Sequence, residues 1–174
     1  MAMWIRIGIV VLCAWVLSAC ATFSSVADGN VLRPDQGLLA FKVDSNSGGN
    51  LAFVQFEKES TFGSRFAESM VGPAGSFVIK SGATYFVVPV AAGEYMWSRF
   101  TVYPKAARFH SSNRFAIKAG TITYIGHVRI FTTDSMVRIS ALDREAEMRE
   151  HLKTNFPKYV ETLRFEKAIT EMRL

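Results

Sequence analysis

The feature that most constrains the fold is the alternation of apolar and polar side chains along several short runs. Between residues 121 and 130, positions 122, 124, 128 and 130 are apolar, and positions 121, 123, 127 and 129 are polar. The run 136–141 repeats this pattern. A period of two places alternate side chains on opposite faces of a strand, with one face buried and the other in water, as in antiparallel sheets. We therefore predict that positions 122, 124, 128 and 130 share the buried face and that His127 faces solvent.

Runs of this type recur from residue 37 to residue 142, separated by turn residues and without helical patterns between them. With 14 Phe and 49% apolar residues, the chain has enough material for a packed core. We predict a mainly β protein whose residues 37–142 form an antiparallel β-sandwich of about seven to eight strands. The expected strands are 38–43, 51–57, 77–80, 84–90, 94–103, 114–118, 121–131 and 136–142.

Residues 143–174 differ in character and are predicted to form a helical C-terminal segment. Residues 143–153 are rich in strong helix formers, and Leu142, Ala146, Leu152 and Phe156 are expected to share one apolar face. Pro157 is suited to the first position of a second helix. The apolar residues expected on that second helix are Val160, Leu163, Ile169 and Met172.

The first twenty residues are typical of a secretory leader. Arg6 is followed by about eleven uncharged, mostly apolar residues, too few to span a hydrocarbon core of about 30 Å as a helix. The sequence Leu17-Ser18-Ala19-Cys20 then resembles the lipobox of bacterial lipoproteins. That resemblance implies that the signal peptide is residues 1–19, that cleavage falls between Ala19 and Cys20, and that diacylglycerol is attached to the Cys20 sulfur. A third acyl chain usually modifies the new amine.

The lipobox resemblance also implies a location. In Gram-negative lipoproteins an aspartate after the cysteine favours the inner membrane, so Ala21 implies the periplasmic face of the outer membrane. Residues 20–36 are small and polar, and we predict that they are a flexible tether. Cys13 leaves with the leader and Cys20 carries lipid, so the mature chain is expected to lack disulfides, thiol catalysis and thiolate metal sites. The alternative is a plain leader or membrane helix that contains a cysteine by chance.

A second resemblance rests on two segments, Val88-Pro89-Val90-Ala91-Ala92-Gly93-Glu94-Tyr95 and the stretch 115–126 with its Gly120 and Tyr124. They are similar to segments of envelope lipoproteins with a transthyretin-like or carboxypeptidase-regulatory-like β-sandwich. The resemblance implies a small non-enzymatic sandwich.

The residues give little support for catalysis. The three histidines, His110, His127 and His151, are 17 and 24 residues apart and form no metal-ligand spacing. Ser111 and Ser112 follow His110 in a turn-like stretch without a nucleophile-elbow pattern. We therefore expect no enzyme activity, no cofactor and no metal.

One basic segment stands out in a chain whose net charge is only +5. No acidic residue occurs between Tyr95 and Thr133, and aromatic residues are interleaved with the basic ones. We predict that this strip contacts an anionic lipid or polymer of the envelope, since each charge near an anionic surface contributes about 1 kcal/mol. Nucleic acid is an unexpected partner outside the cytoplasm. The candidate contact residues are Arg99, Lys105, Arg108, Arg114 and Lys118.

Three functions remain open at this point. The first is a membrane-attached, non-enzymatic module that binds an envelope protein or anionic polymer. The second is a hydrolase of cell-wall or lipid substrates, which needs titratable side chains gathered from distant strands. The third is a carrier of a small apolar ligand within the sheet domain.

Overall fold

The structure is a computed structural model that describes residues 23, 25–56, 75–109, 114–170 and 172. Cys20, Ala19 and the predicted leader lie outside the described residues. The strands are β1 Gln36–Ser45, β2 Gly49–Phe56, β3 Gly75–Ile79, β4 Gly82–Ala91, β5 Gly93–Val102, β6 Lys105–Arg108, β7 Arg114–Ile117, β8 Thr121–Thr132, β9 Val137–Leu142 and β10 Arg164–Lys167. The helices are α1 Glu145–Asn155 and α2 Pro157–Thr162.

The strands form two sheets of five, which confirms the predicted β-sandwich. The first sheet has the order β10-β8-β1-β4, and β9 pairs with the far part of β8. The second sheet has the order β3-β2-β5-β6, and β7 also pairs with β5. Most pairs are antiparallel, but β8 runs parallel to both β1 and β10. The alternation of side chains indicates which face of a strand is buried but not the direction of the neighbouring strand. It therefore did not predict these parallel pairs.

Aromatic side chains pack between the two sheets. Phe41 is stacked on Phe86 with ring centroids 4.9 Å apart and meets Phe77 edge to face at 4.8 Å. Trp97 is 1% exposed and packs edge-on against Phe41. Offset and edge-to-face contacts of this kind add to the free energy gained from burial itself. This interior is the main core of the protein.

A second core lies on the outer face of the first sheet. There α1 and α2 cover Ala40, Val87 and Tyr124 with Met148, Leu152, Phe156 and Tyr159. Met148 and Leu152 are one turn apart and carry the buried face of α1. Ala146 was predicted on this face but is exposed, because the helix turns its 148–152 side toward the sheet.

A bulge in β8 changes which residues face the main core. Tyr124 pairs with Ala40, but the next pair is His127 with Lys42, so β8 contains one extra residue. Gly126, with φ of 110°, adopts the conformation that the extra residue requires. Val128 and Ile130 therefore face the main core, whereas Ile122 and Tyr124 face the helices. The prediction that all four share one face was wrong.

The end of the chain is only partly helical. Pro157 begins α2 as predicted, but the helix stops at Thr162 and residues Arg164–Lys167 form β10. Phe165 pairs with Ile122 of β8 in parallel register. The predicted second helix through Met172 was therefore wrong beyond Thr162, since hydrogen bonding to a sheet edge outweighs a weak local helix propensity.

Residues before β1 lie along the domain rather than away from it. The amide of Phe23 donates to Ser76 of β3, and that of Val26 donates to Val87 of β4 at 2.9 Å. The Asp28 carboxylate accepts from the amides of Lys158 and Tyr159 at the start of α2. The predicted tether thus differs from the structure, because these contacts fix the described residues from Ser25 to Asp35 on the domain.

Candidate functional site

The predicted basic strip is divided by the fold. Arg99 and Arg108 lie directly opposite each other in β5 and β6, and Arg114 of β7 lies opposite Met96, all on the outer face of the second sheet. Each of these three arginines already has an interaction partner.

The other two members of the strip lie at opposite ends of the sandwich. The Lys105 ammonium donates to the carbonyl oxygens of Thr133 and Asp134. Lys118 forms an ion pair with Glu166 at 2.8 Å. The structure therefore brings together three of the five predicted residues, and the set is not a continuous strip.

A different pair of arginines lies on the part of the first sheet that the helices leave uncovered. Asp44, Arg129 and Ser140 stand side by side on β1, β8 and β9, and Phe131 lies opposite Arg138. Residues that lie opposite each other across neighbouring strands project from the same face, so these side chains share one surface. With Asn46 they line an open groove of about 530 Å³. We call this surface the arginine groove.

The arginine groove presents cationic groups that are available to an anion. Among the described residues, no hydrogen bond or ion pair engages the Arg129 side chain, and Arg138 contacts only the Met136 sulfur through Nε at 3.2 Å. The two arginines are diagonal neighbours across the strand pair, roughly 7–8 Å apart at the backbone, so both guanidinium groups can reach one ligand. The nearby Asp44 carboxylate is already bound to His127 Nε2 at 2.8 Å.

At the rim of the arginine groove, the Asn46 side chain bonds the backbone of Thr132 as a neighbouring strand would. Asn46 donates through Nδ2 to the Thr132 carbonyl and accepts the Thr132 amide through Oδ1, both at 2.8 Å. The Ser47 hydroxyl adds a 3.1 Å bond to the Thr132 hydroxyl. These contacts tie the turn after β1 to the end of β8, so the groove wall is in place before any ligand arrives.

A polar network borders the groove where α1 begins to cover the sheet. Glu147 of α1 accepts hydrogen bonds from Lys42 Nζ and from the Tyr85 hydroxyl, both at 2.7 Å. The hydrogen bond from Lys42, supported by that from Tyr85, lowers the pKa of the Glu147 carboxyl. The same bond to Glu147 raises the pKa of Lys42. The ionised Glu147 carboxylate, bound to Lys42 and Tyr85, therefore holds α1 on the sheet.

The two described histidines have structural partners. His127 is 7% exposed rather than solvent-facing as predicted, because Glu147 and Met148 at the start of α1 lie beside it and Asp44 bonds its ring. Its Nδ1 atom is buried without a hydrogen-bond partner. The His151 ring stacks on Tyr85 with centroids 3.8 Å apart, and burial lowers its pKa. Within the described ranges, no cluster of three or more His, Cys, Asp or Glu side chains has the geometry of a metal site. His110, Ser111 and Ser112 lie outside those ranges.

The Glu147 network predicts a pH-dependent loss of stability. Because the pKa of Glu147 is lowered on folding, its stabilising effect is present above the ordinary glutamate pKa of about 4.3 and is lost as the pH falls through the folded value. We expect Glu147→Gln to lower the free energy of unfolding by about 1 kcal/mol at pH 7, a modest figure because the Glu147 side chain is 42% exposed. Chemical denaturation at pH 7 and pH 3 measures it.

The matched control for this prediction is Glu150→Gln, which removes the same charge from an exposed position on the same helix. We expect less than about 0.5 kcal/mol for it at either pH. A Glu147→Gln effect that is as large at pH 3 as at pH 7 would contradict the assignment of the stabilisation to the ionised carboxylate.

Comparison of the chain with protein-family models, with curated proteins and with solved structures gives no match. Neither described helix is long and apolar enough to cross a bilayer.

The arginine groove was not predicted from the sequence. Arg129 lay within the basic segment but was not among the selected contact residues, and only the β8–β9 pairing brings it beside Arg138.

Proposed function

We propose that the chain is a lipid-anchored lipoprotein of the bacterial cell envelope, attached through Cys20, whose β-sandwich is a non-enzymatic binding module. The observation that carries the proposal is the sequence Leu17-Ser18-Ala19-Cys20 directly after an uncharged, mostly apolar stretch. The described strands and the described residues of both cores lie after Cys20, so the expected cleavage removes none of them. Three residues span at most about 11 Å, so the Cys20 backbone stays within that distance of the Phe23 backbone.

The position of the anchor relative to the arginine groove favours a partner other than the anchoring bilayer. Val26 is hydrogen-bonded to β4, which is one edge strand of the first sheet. The groove lies over β1, β8 and β9, toward the opposite edge. A membrane close to Phe23 therefore meets the β3–β4 side of the sandwich, whereas the two arginines of the groove lie on β8 and β9, toward the other edge of the first sheet.

The composition of the groove favours an acidic segment of another envelope protein. Phe131 is 54% exposed and Met136 39% exposed beside the two arginines. Arg, Phe and Met are the residue types enriched in protein interfaces, and paired guanidinium groups match carboxylates well. Because Ala21, and not an aspartate, follows Cys20, the expected location is the periplasmic face of the outer membrane.

Two measurements test this function. Mass spectrometry of the native protein is expected to find a chain that begins at Cys20 and carries acyl groups; an uncut leader or a free thiol at Cys20 would contradict the anchor.

The second measurement tests binding in the arginine groove. The probe is a fluorescent ten-residue peptide rich in Asp and Glu, titrated against the chain in phosphatidylcholine nanodiscs.

We expect the double variant Arg129→Ala/Arg138→Ala to bind the acidic peptide about 10- to 30-fold more weakly, from about 1 kcal/mol for each lost charge-assisted contact. The control is Arg33→Ala/Arg164→Ala, which removes the same charge from exposed positions outside the groove. An equal loss in the control pair would mean that general electrostatic attraction accounts for the binding. In a further experiment, binding of the chain to phosphatidylglycerol nanodiscs is measured. If the chain binds these anionic nanodiscs more tightly than it binds the acidic peptide, lipid is favoured as the partner.

A further inference from the structure

A second pocket lies under the C-terminal helices, away from the arginine groove. Its volume is about 170 Å³, and it is bounded by α1, α2 and β10 over the first sheet. Ile122 and Leu152, each 1% exposed, form its floor. The remaining lining residues are Val160, Leu163 and Phe165, with Arg149 and Lys153 at the mouth.

The pocket arises from the change of direction at the end of the chain. The first helix ends at Asn155, Pro157 begins the short α2, and the chain then turns into β10 on the edge of β8. Three elements diverge at this point, and Val160 stays 37% exposed rather than filling the space between them. Apolar cavities of about 150 Å³ lined by Leu, Ile and Phe bind small apolar molecules such as benzene, so this space suits a hydrocarbon group of similar size.

Two cations stand at the mouth of this apolar space. The Arg149 guanidinium lies 3.8 Å over the Phe165 ring and donates through Nε to Glu145 at 2.7 Å, which fixes its plane while its other donors remain available. Lys153 is exposed in the last turn of α1 and has no ion-pair or hydrogen-bond partner among the described residues. An anionic head group at the mouth would meet Lys153 and the remaining donors of Arg149.

We propose that this pocket binds a small amphiphilic anion, namely a hydrocarbon group of about six carbons that carries a carboxylate. The apolar walls take the hydrocarbon group, and Arg149 and Lys153 take the carboxylate. The site is separate from the arginine groove, and its existence does not depend on acylation of Cys20 or on the partner proposed for the groove.

The test is an NMR titration of the isotope-labelled full chain in phosphatidylcholine nanodiscs, with hexanoate as the probe. We expect shifts of the Leu152, Val160 and Leu163 methyl signals that saturate with a Kd of roughly 1 mM, the range expected for a ligand of this size. Hexan-1-ol lacks the charge and acetate lacks the chain, and each is expected to bind at least about fivefold more weakly. Hexanol binding as tight as hexanoate, or no shift of these methyl signals, would overturn the proposal.

Two variants and a control locate the contacts. Val160→Phe narrows the pocket from its exposed rim and is expected to weaken hexanoate binding about tenfold while the melting temperature stays near that of the parent. Lys153→Gln is expected to weaken hexanoate about threefold and leave hexanol unchanged. Lys158→Gln removes a charge from α2 outside the pocket and is expected to change neither ligand. Unchanged hexanoate binding in Val160→Phe would exclude this pocket as the site.

Discussion

Replacing Cys20 by serine behind an ordinary cleavable secretory leader is expected to move the protein from the membrane fraction to the soluble fraction. Each acyl methylene buried in a bilayer contributes about 0.8 kcal/mol, and a single chain holds a protein only marginally, whereas two or more hold it durably. We therefore expect the ratio of membrane-bound to soluble protein to fall by at least about 100-fold. Fractionation of cells, followed by immunoblotting of both fractions, measures the ratio.

The control for this experiment is the same ordinary leader placed before the native Leu17-Ser18-Ala19-Cys20 sequence, which is expected to restore membrane attachment. The released serine variant should also keep its fold, because the replaced residue precedes every described residue of the two cores. A serine variant that remains in the membrane fraction would show that something other than acyl chains holds the protein there, and the proposed anchor would be wrong.

The alternation of side chains was sufficient to predict the β-sandwich but not the faces of its longest strand. Before the bulge at Gly126, Ile122 and Tyr124 are buried as predicted, but Thr121 and Thr123 on the opposite face are buried as well. Beyond the bulge the two faces exchange roles. One extra residue reverses the orientation of every later side chain relative to the earlier ones. Glycine in a strand is a signal for such a bulge. At the level of sequence, however, Gly126 was treated as an ordinary position in the alternation.

Of the three C-terminal elements around the pocket under the helices, two were predicted from the sequence and one was not. Strong helix formers and Pro157 indicate α1 and the start of α2, and these predictions were confirmed. Nothing in the local pattern of 164–167 indicates a strand, because β10 exists only through pairing with the exposed edge of β8. The pocket depends on this long-range contact, whereas the arginine groove depends on the pairing of β8 with β1 and β9.

Phe23 is another residue whose position depends on long-range packing that its local sequence does not indicate. Phe23 was assigned to a tether because its neighbours are small and polar, yet its ring packs 5.4 Å from Phe53 and 5.5 Å from Phe77. It does so over Gly75, where an added Cβ would lie within 3 Å of three atoms of the Phe23 ring. The amide of Phe23 bonds β3 and that of Val26 bonds β4, so this segment joins the exposed edges of the two sheets.

This packing predicts a specific non-additive effect. Phe23→Ala is expected to lower the free energy of unfolding by about 2 kcal/mol, less than for a fully buried phenylalanine because Phe23 is half-buried. Gly75→Ala is expected to cost about 2 kcal/mol by displacing the ring. The double variant should cost about 2 kcal/mol rather than 4, because the new methyl group occupies the space that the missing ring leaves.

Urea denaturation of the released serine variant, carrying each of these changes, measures the three values. The matched control is Gly48→Ala, where the added Cβ meets only the Ile79 carbonyl at an ordinary 3.5 Å, and we expect less than about 0.5 kcal/mol for it. Additive losses in the double variant would mean that Phe23 and Gly75 do not share one contact. The contacts of Val26 and Asp28, and not the Phe23 ring, would then be what holds the segment after Cys20 on the domain.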